Sequence, residues 1–161
     1  MSRMHLREYN KWVIGKYHFM NIEINYWMVL LVGFVSVMLG AFWYSPKGFG
    51  KTWMAATGMT MGGSDIDKKS INKKYAITFL ASLLGAYVMA HLVGITQLVT
   101  FWQGVQLGFW IWIGFIVPSM LGPMLWERKT WNYFIVNTGY YLVLFMLSAG
   151  ILSEWGVKIV L

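Results

Sequence analysis

The sequence predicts an all-α, polytopic membrane protein: an antiparallel four-transmembrane-helix bundle preceded by a basic amphipathic stretch. Three observations carry this expectation. Of 161 residues, 58% are hydrophobic and only 12% charged, and the mean hydropathy is +0.54, well above the balance of a soluble domain. Four stretches, about 24–44, 75–95, 104–125 and 133–152, contain no Asp, Glu, Lys or Arg, and each reaches the roughly 20 residues that a bilayer-crossing helix requires. The basic residues all fall outside these stretches and not along one polar face.

The chain divides into an extension, 1–19, and a four-helix domain, 20–161. Read as a helix, the extension sets Leu6, Tyr9, Val13, Tyr17 and Met20 opposite Arg7 and Lys11, a pattern suited to a membrane surface. The alternative is that Met20 is the start and residues 1–19 come from an upstream start codon or were appended. Lipid offers the backbone no hydrogen-bond partners, so the four stretches must be helices, and short connections make successive helices antiparallel neighbours.

Lysine and arginine set the expected orientation. Connection 45–74 carries Lys47, Lys51, Lys68, Lys69, Lys73 and Lys74, and connection 126–132 carries Arg128 and Lys129, whereas the connection around Gln97 to Gln103 is uncharged. The positive-inside rule then places 45–74 and 126–132 in the cytoplasm and both termini outside, in a prokaryotic inner (plasma) membrane. Within the first connection, Gly62 and Gly63 break the chain, and Ser64 is placed to cap a helix opening with Asp65 and Asp67.

Composition also excludes. The net charge of +7 would suit nucleic acid, but flanking charges that meet anionic headgroups explain it better, so no nucleic-acid partner is expected. With no cysteines, disulfides, thiolate nucleophiles and cysteine zinc sites are ruled out. No phosphate loop, catalytic triad or zinc spacing occurs. The expectation is a non-enzyme without a cofactor, whose partners are membrane lipids and a second copy of itself or a larger membrane complex.

Small residues mark the expected helix contacts. Ser82, Ala86, Ala90 and Gly94 recur every four residues with Thr78 before them, Gly33 and Gly40 give the first helix a similar face with Ser36, and Gly104 with Gly108 forms a Gly-x-x-x-Gly. Such faces let backbones approach closely where lipid gives no hydrophobic drive to association. Pro118 and Pro123 predict a kink in the third helix. Among intramembrane polar groups, His91 is expected to make an interhelical hydrogen bond. Asn137 has two readings, as a cap on backbone loosened near the proline helix or as part of a cytoplasm-facing pocket with Tyr44, Ser45 and Tyr140.

The junction "GAFWYSPKGFGKTW" is the most distinctive stretch. Trp43 and Tyr44 are placed at the interface, Ser45 and Pro46 end the helix, and Phe49 and Trp53 are expected to lie against headgroups while Lys47 and Lys51 reach water. With Gly40, Gly50, Lys51 and Trp53, these residues resemble the signature of the bacterial and archaeal proteins grouped as the domain of unknown function 1761 family. The resemblance returns weakly at "FLASLLGAYVMAHLV" and more clearly from Gly108 to Leu152, where Asn137, Gly139 and Tyr140 fit the family's fourth helix. It implies a four-helix membrane protein and supplies no catalytic residues. The candidate face is therefore Trp43, Tyr44, Ser45, Pro46, Phe49, Gly50, Lys51, Trp53, Pro123, Glu127, Asn137 and Tyr140. Action through helix contacts is the leading expectation, with a small transporter or channel for a neutral or apolar solute as the alternative.

Overall fold

The computed structural model describes residues 21–58 and 68–160. The extension, the Met20 start and the cap at Ser64 lie outside the described residues. A short strand β1 (Asn21–Ile24) leads into α1 (Tyr26–Trp43), followed by a short helix α2 (Gly50–Thr57) and the long α3 (Lys68–Ile95). Then come α4 (Phe101–Ile111), a π-helical turn at Trp112–Ile116, α5 (Val117–Trp126), α6 (Trp131–Ile151), a second π turn at Leu152–Gly156 and strand β2 (Val157–Val160).

Four segments are long and apolar enough to cross a membrane: Tyr26–Trp43, Asn72–Ile95, Phe101–Trp126 and Trp131–Gly156. Their apolar residues are spread around the helix circumference, as expected of a helix whose surroundings are apolar on every side. Trp27, Trp102 and Trp155 stand exposed at one end of the bundle, and Trp126 and Trp131 at the other. Such paired aromatic belts belong at the two bilayer surfaces. The protein is thus an all-α integral membrane protein with one small addition.

That addition is a two-stranded antiparallel ribbon, in which Asn21 pairs with Val160 and Ile24 with Val157. It closes one end of the bundle. A Cβ on Gly94 would meet the Ile22 side chain at 2.6 Å, so the end of α3 is seated against the ribbon. Sequence periodicity could not reveal it, because a four-residue strand is too short to show alternation.

Local signals explain the helix ends. Asn25 caps α1 by accepting from the Trp27 N–H at 3.1 Å, and Pro46 prevents the helix from running on. Gly58, at φ 70°, takes the left-handed conformation that ends α2. Thr100 and Gln103 form a capping box at the start of α4, and Thr130 accepts from the Tyr133 N–H at the start of α6. The kink expected from proline takes the form of a π turn. The Val117 N–H reaches back to the Trp112 carbonyl, widening the helix just before Pro118, whose ring would otherwise clash with the carbonyl four residues earlier.

Packing is uneven, and that unevenness makes the site. The buried core, including Val29, Val32, Ala86, Met89, Ala90, Val93, Ala149 and Leu152, lies towards the ribbon end. There α4 presses on α6: a Cβ on Gly104 would run into the Ala149 carbonyl, and one on Gly108 into the Phe145 carbonyl. Gly33 receives the Leu83 side chain, and Gly150 receives Phe101. Successive helices are not all neighbours, however. Although joined by residues 96–100, α3 and α4 barely touch, while α1 packs on α3 and α4 on α6. The bundle is therefore open along one side.

Candidate functional site: a lateral cleft with an aromatic mouth

Where α3 diverges from α6, with α1 as the floor, lies a cavity of about 810 Å³. Its α3 wall carries Tyr75, Thr78, Ala81, Ser82, Gly85, Ala86 and Met89, and its α6 wall Tyr140, Tyr141, Leu144, Phe145 and Ser148. Ser36, Gly40, Tyr44 and Ser45 complete the floor. No Asp, Glu, Lys, Arg or His is among these lining residues.

The small-residue face of α3 splits into two parts. Towards the ribbon, Ala86 and Ala90 are buried and Gly94 is covered by Ile22. Towards the other end, Ser82 is half-buried on the cavity wall, and a Cβ on Gly85 would meet nothing within 4 Å. The sequence places Ser82 in helix packing; it lines the cavity instead, because α3 has parted from α6 at that level. Its hydroxyl donates to the Thr78 carbonyl at 2.9 Å.

The mouth is built from the Trp-Tyr-Ser-Pro junction. Trp43 Nε1 donates to the Val136 carbonyl at 3.0 Å, and the Tyr44 hydroxyl donates to Asn137 Oδ1 at 3.0 Å. Both bonds tie the end of α1 to consecutive residues of α6. Asn137 Nδ2 in turn donates to the Tyr133 carbonyl of its own helix at 2.7 Å. Asn137 therefore caps nothing near the proline helix; it is the acceptor that positions Tyr44, and it stands behind the cavity wall. Burial, then the neighbouring Tyr141, Tyr140 and Tyr133, raise the Tyr44 phenol above its ordinary pKa, which keeps it a donor.

After Tyr44 the backbone doubles back on itself. Ser45 Oγ donates to the Phe42 carbonyl at 2.7 Å, and the Phe49 N–H donates to the Trp43 carbonyl at 2.7 Å. A Cβ on Gly48 would lie 2.6 Å from the Phe42 carbonyl, and one on Gly50 would overlap the Tyr44 carbonyl. Glycine is required here by close approach, not by left-handed geometry.

This turn brings α2 against α6, while Phe49 keeps about half of its surface exposed. The Phe49 ring lies 4.6 Å from Trp43 and that of Trp53 5.5 Å from Tyr44, so both close over the helix end. Tyr140 joins the group, 5.4 Å from Tyr44 and 6.3 Å from Trp43. Lys47 and Lys51 are exposed. Pro123 is half-buried in α5 and Glu127 exposed at its end; neither is on the cavity wall.

Two features escaped the sequence reading. Trp112 Nε1 donates to the Thr138 carbonyl at 2.7 Å, so α6 is held, at positions two residues apart, by indoles from α1 and from the π turn that follows α4. The available signal was that an indole N–H within a membrane must find a partner. Among the described residues His91 makes no interhelical bond of the kind expected: its Nδ1 meets the Tyr87 carbonyl of its own helix at 2.9 Å, with the Tyr87 ring 4.3 Å away. Among the described residues no three His, Cys, Asp or Glu side chains gather in a way that could hold a metal ion.

No curated protein and no solved structure matches the chain. The family described as "Protein of unknown function (DUF1761)" matches residues 27–153, which takes in the Trp-Tyr-Ser-Pro turn, the cleft and the clamp on α6. With most of its length matched, the chain belongs to the domain of unknown function 1761 family.

Proposed function

We propose that this protein works through its lateral cleft, taking up the uncharged part of a membrane-soluble molecule without transforming it. The observation that carries this is the cavity of about 810 Å³, lined among the described residues by apolar, aromatic and hydroxyl groups and by no charged side chain. Its size lies within the range of roughly 300–1,000 Å³ usual for ligand sites. A lining without carboxylate, imidazole or amine supports a binding or transport role over an enzymatic one. An opening between α3 and α6 gives access from the bilayer, and the lysine-rich connections support placing the Tyr44 end in the cytoplasm.

A second reading, action through helix contacts in a homo-oligomer or a larger complex, draws on Ala81 and Gly85, which face open space. It is the weaker one, because Gly33, Gly94, Gly104 and Gly108 are already used within the chain. Binding of a neutral apolar fluorescent probe to the detergent-solubilised protein separates them. The cleft reading expects saturable binding that Ser82→Trp removes; unchanged binding in that variant, with a dimer that Gly85→Leu dissociates, favours the contact reading.

A further inference from the structure

We propose that the occupant of the cleft is an anionic phospholipid of the surrounding bilayer, with its acyl chain along the cleft and its phosphate between Lys47 and Lys74. This rests on the cleft being a binding site and names what fills it.

The wall changes character along its length. At depth Ala86, Met89, Leu144 and Phe145 surround a single hydroxyl of α6, that of Ser148; nearer the mouth come Ser82, Thr78, Tyr140, Tyr75 and Ser45. Lys74 continues this gradient. Thr78 Oγ1 donates to the Lys74 carbonyl at 2.9 Å, and residues four apart share a helix face, so Lys74 lies one turn beyond Thr78 on the cleft side of α3. From the floor, Lys47 follows the cleft residue Ser45 by two positions and is exposed. Two cations thus stand beyond the hydroxyl ring at the level of headgroup phosphates, where lysines snorkel to water.

The dimensions agree. From Tyr75 to Met89, α3 rises about 21 Å at ~1.5 Å per residue, enough to span one leaflet of a hydrocarbon core about 30 Å thick. A soluble anion alone would leave the apolar depth unused. A partner helix would fill the depth but bring no anion to the two lysines. An acyl chain beneath a phosphate satisfies both ends, and the charge never enters the uncharged interior.

The test is competitive lipid retention by the purified full-length protein. It is equilibrated with equal phosphatidylglycerol and phosphatidylcholine, stripped stepwise with detergent, and examined by native mass spectrometry. The wild type should retain phosphatidylglycerol about tenfold over phosphatidylcholine, given what surface cations contribute near anionic lipid. Lys47→Gln with Lys74→Gln should bring the two lipids close to parity. Arg128→Gln with Lys129→Gln, an equal charge loss on the other lysine-bearing connection, should leave the preference intact; an equal drop in that pair overturns the proposal. Ser82→Trp, or Ala81→Phe should that variant not fold, should expel both lipids. Expulsion of the neutral probe but not of phosphatidylglycerol sinks the lipid assignment and leaves the cleft reading standing, whereas expulsion of neither defeats both.

Discussion

The Tyr44 hydroxyl donates to Asn137 Oδ1 across 3.0 Å, joining the end of the first membrane helix to the fourth and holding the cleft mouth in one shape. Asn137 has its amide nitrogen engaged with the Tyr133 carbonyl, so its oxygen is aimed at Tyr44 by its own helix. Asn137→Leu leaves the phenol without its acceptor and should cost about 1–3 kcal/mol of stability. Tyr44→Phe strands an acceptor, Asn137 Oδ1, which is tolerated better than an orphaned donor, and should cost less, nearer the ~0.6 kcal/mol average of interhelical bonds in membranes. Denaturant unfolding in micelles measures both. The double variant should be no less stable than Asn137→Leu alone; strict additivity would mean that the two groups do not act as a pair.

Glycines in contact with backbone should respond differently from those facing space. Gly108→Ala drives a methyl into the Phe145 carbonyl, and Gly50→Ala drives one into the Tyr44 carbonyl. Neither neighbour is a side-chain end that can swing aside, so each should lose about 1–3 kcal/mol. Gly85 meets nothing within 4 Å, and alanine there should stabilise the helix by up to about 1 kcal/mol through propensity alone. Thermal unfolding of the three variants side by side checks the order.

The contrast between Gly108 and Gly85 also shows what the sequence could and could not reveal. Length, hydropathy and the absence of charge identified four crossings, since lipid leaves the backbone few alternatives. Small residues identified faces suited to close packing, and Gly104, Gly108, Ala86 and Ala90 do pack closely. Nothing in the residue types distinguishes Ala86 from Ala81 or Ser82, because the same small side chain permits contact and lines a gap equally well. Which occurs depends on where α3 parts from α6, a tertiary relationship with no local sequence signature. Likewise, Trp43 and Trp53 read as interfacial aromatics. Their ring contacts with Phe49 and Tyr44 follow from the turn at Ser45–Gly50, whose carbonyl geometry no pattern of hydrophobicity encodes.

The absence of native cysteine makes the cleft directly mappable. Ala81→Cys and Thr78→Cys place a thiol at exposed wall positions, whereas Ala90→Cys lies on the same helix at 0% exposure. A membrane-permeant maleimide should label the first two within minutes and the third only after denaturation. Filling the cavity with Ser82→Trp should slow labelling at residue 78 at least severalfold. Equal labelling of all three positions would show that α3 does not pack on α1 as described.

At the ribbon end, Glu154 Oε2 accepts from the Phe101 N–H at 2.7 Å, while Ser153 Oγ donates to the Thr100 carbonyl at 2.8 Å. Two adjacent residues of the second π turn thereby fasten the first turn of α4, where backbone N–H groups have no partner within the helix. Glu154→Ala frees one of these donors at an exposed site, where water replaces the carboxylate, so the loss should resemble that of a helix cap, about 0.5–2 kcal/mol. Glu154→Gln keeps an acceptor but loses the favourable meeting of negative charge with the helix N-terminus, worth about 0.3–1 kcal/mol. Stability should therefore fall in the order wild type, Glu154→Gln, Glu154→Ala, and only the first of these steps should shrink in high salt. A salt-independent first step in micelle unfolding would assign the whole effect to hydrogen bonding and none to the helix dipole.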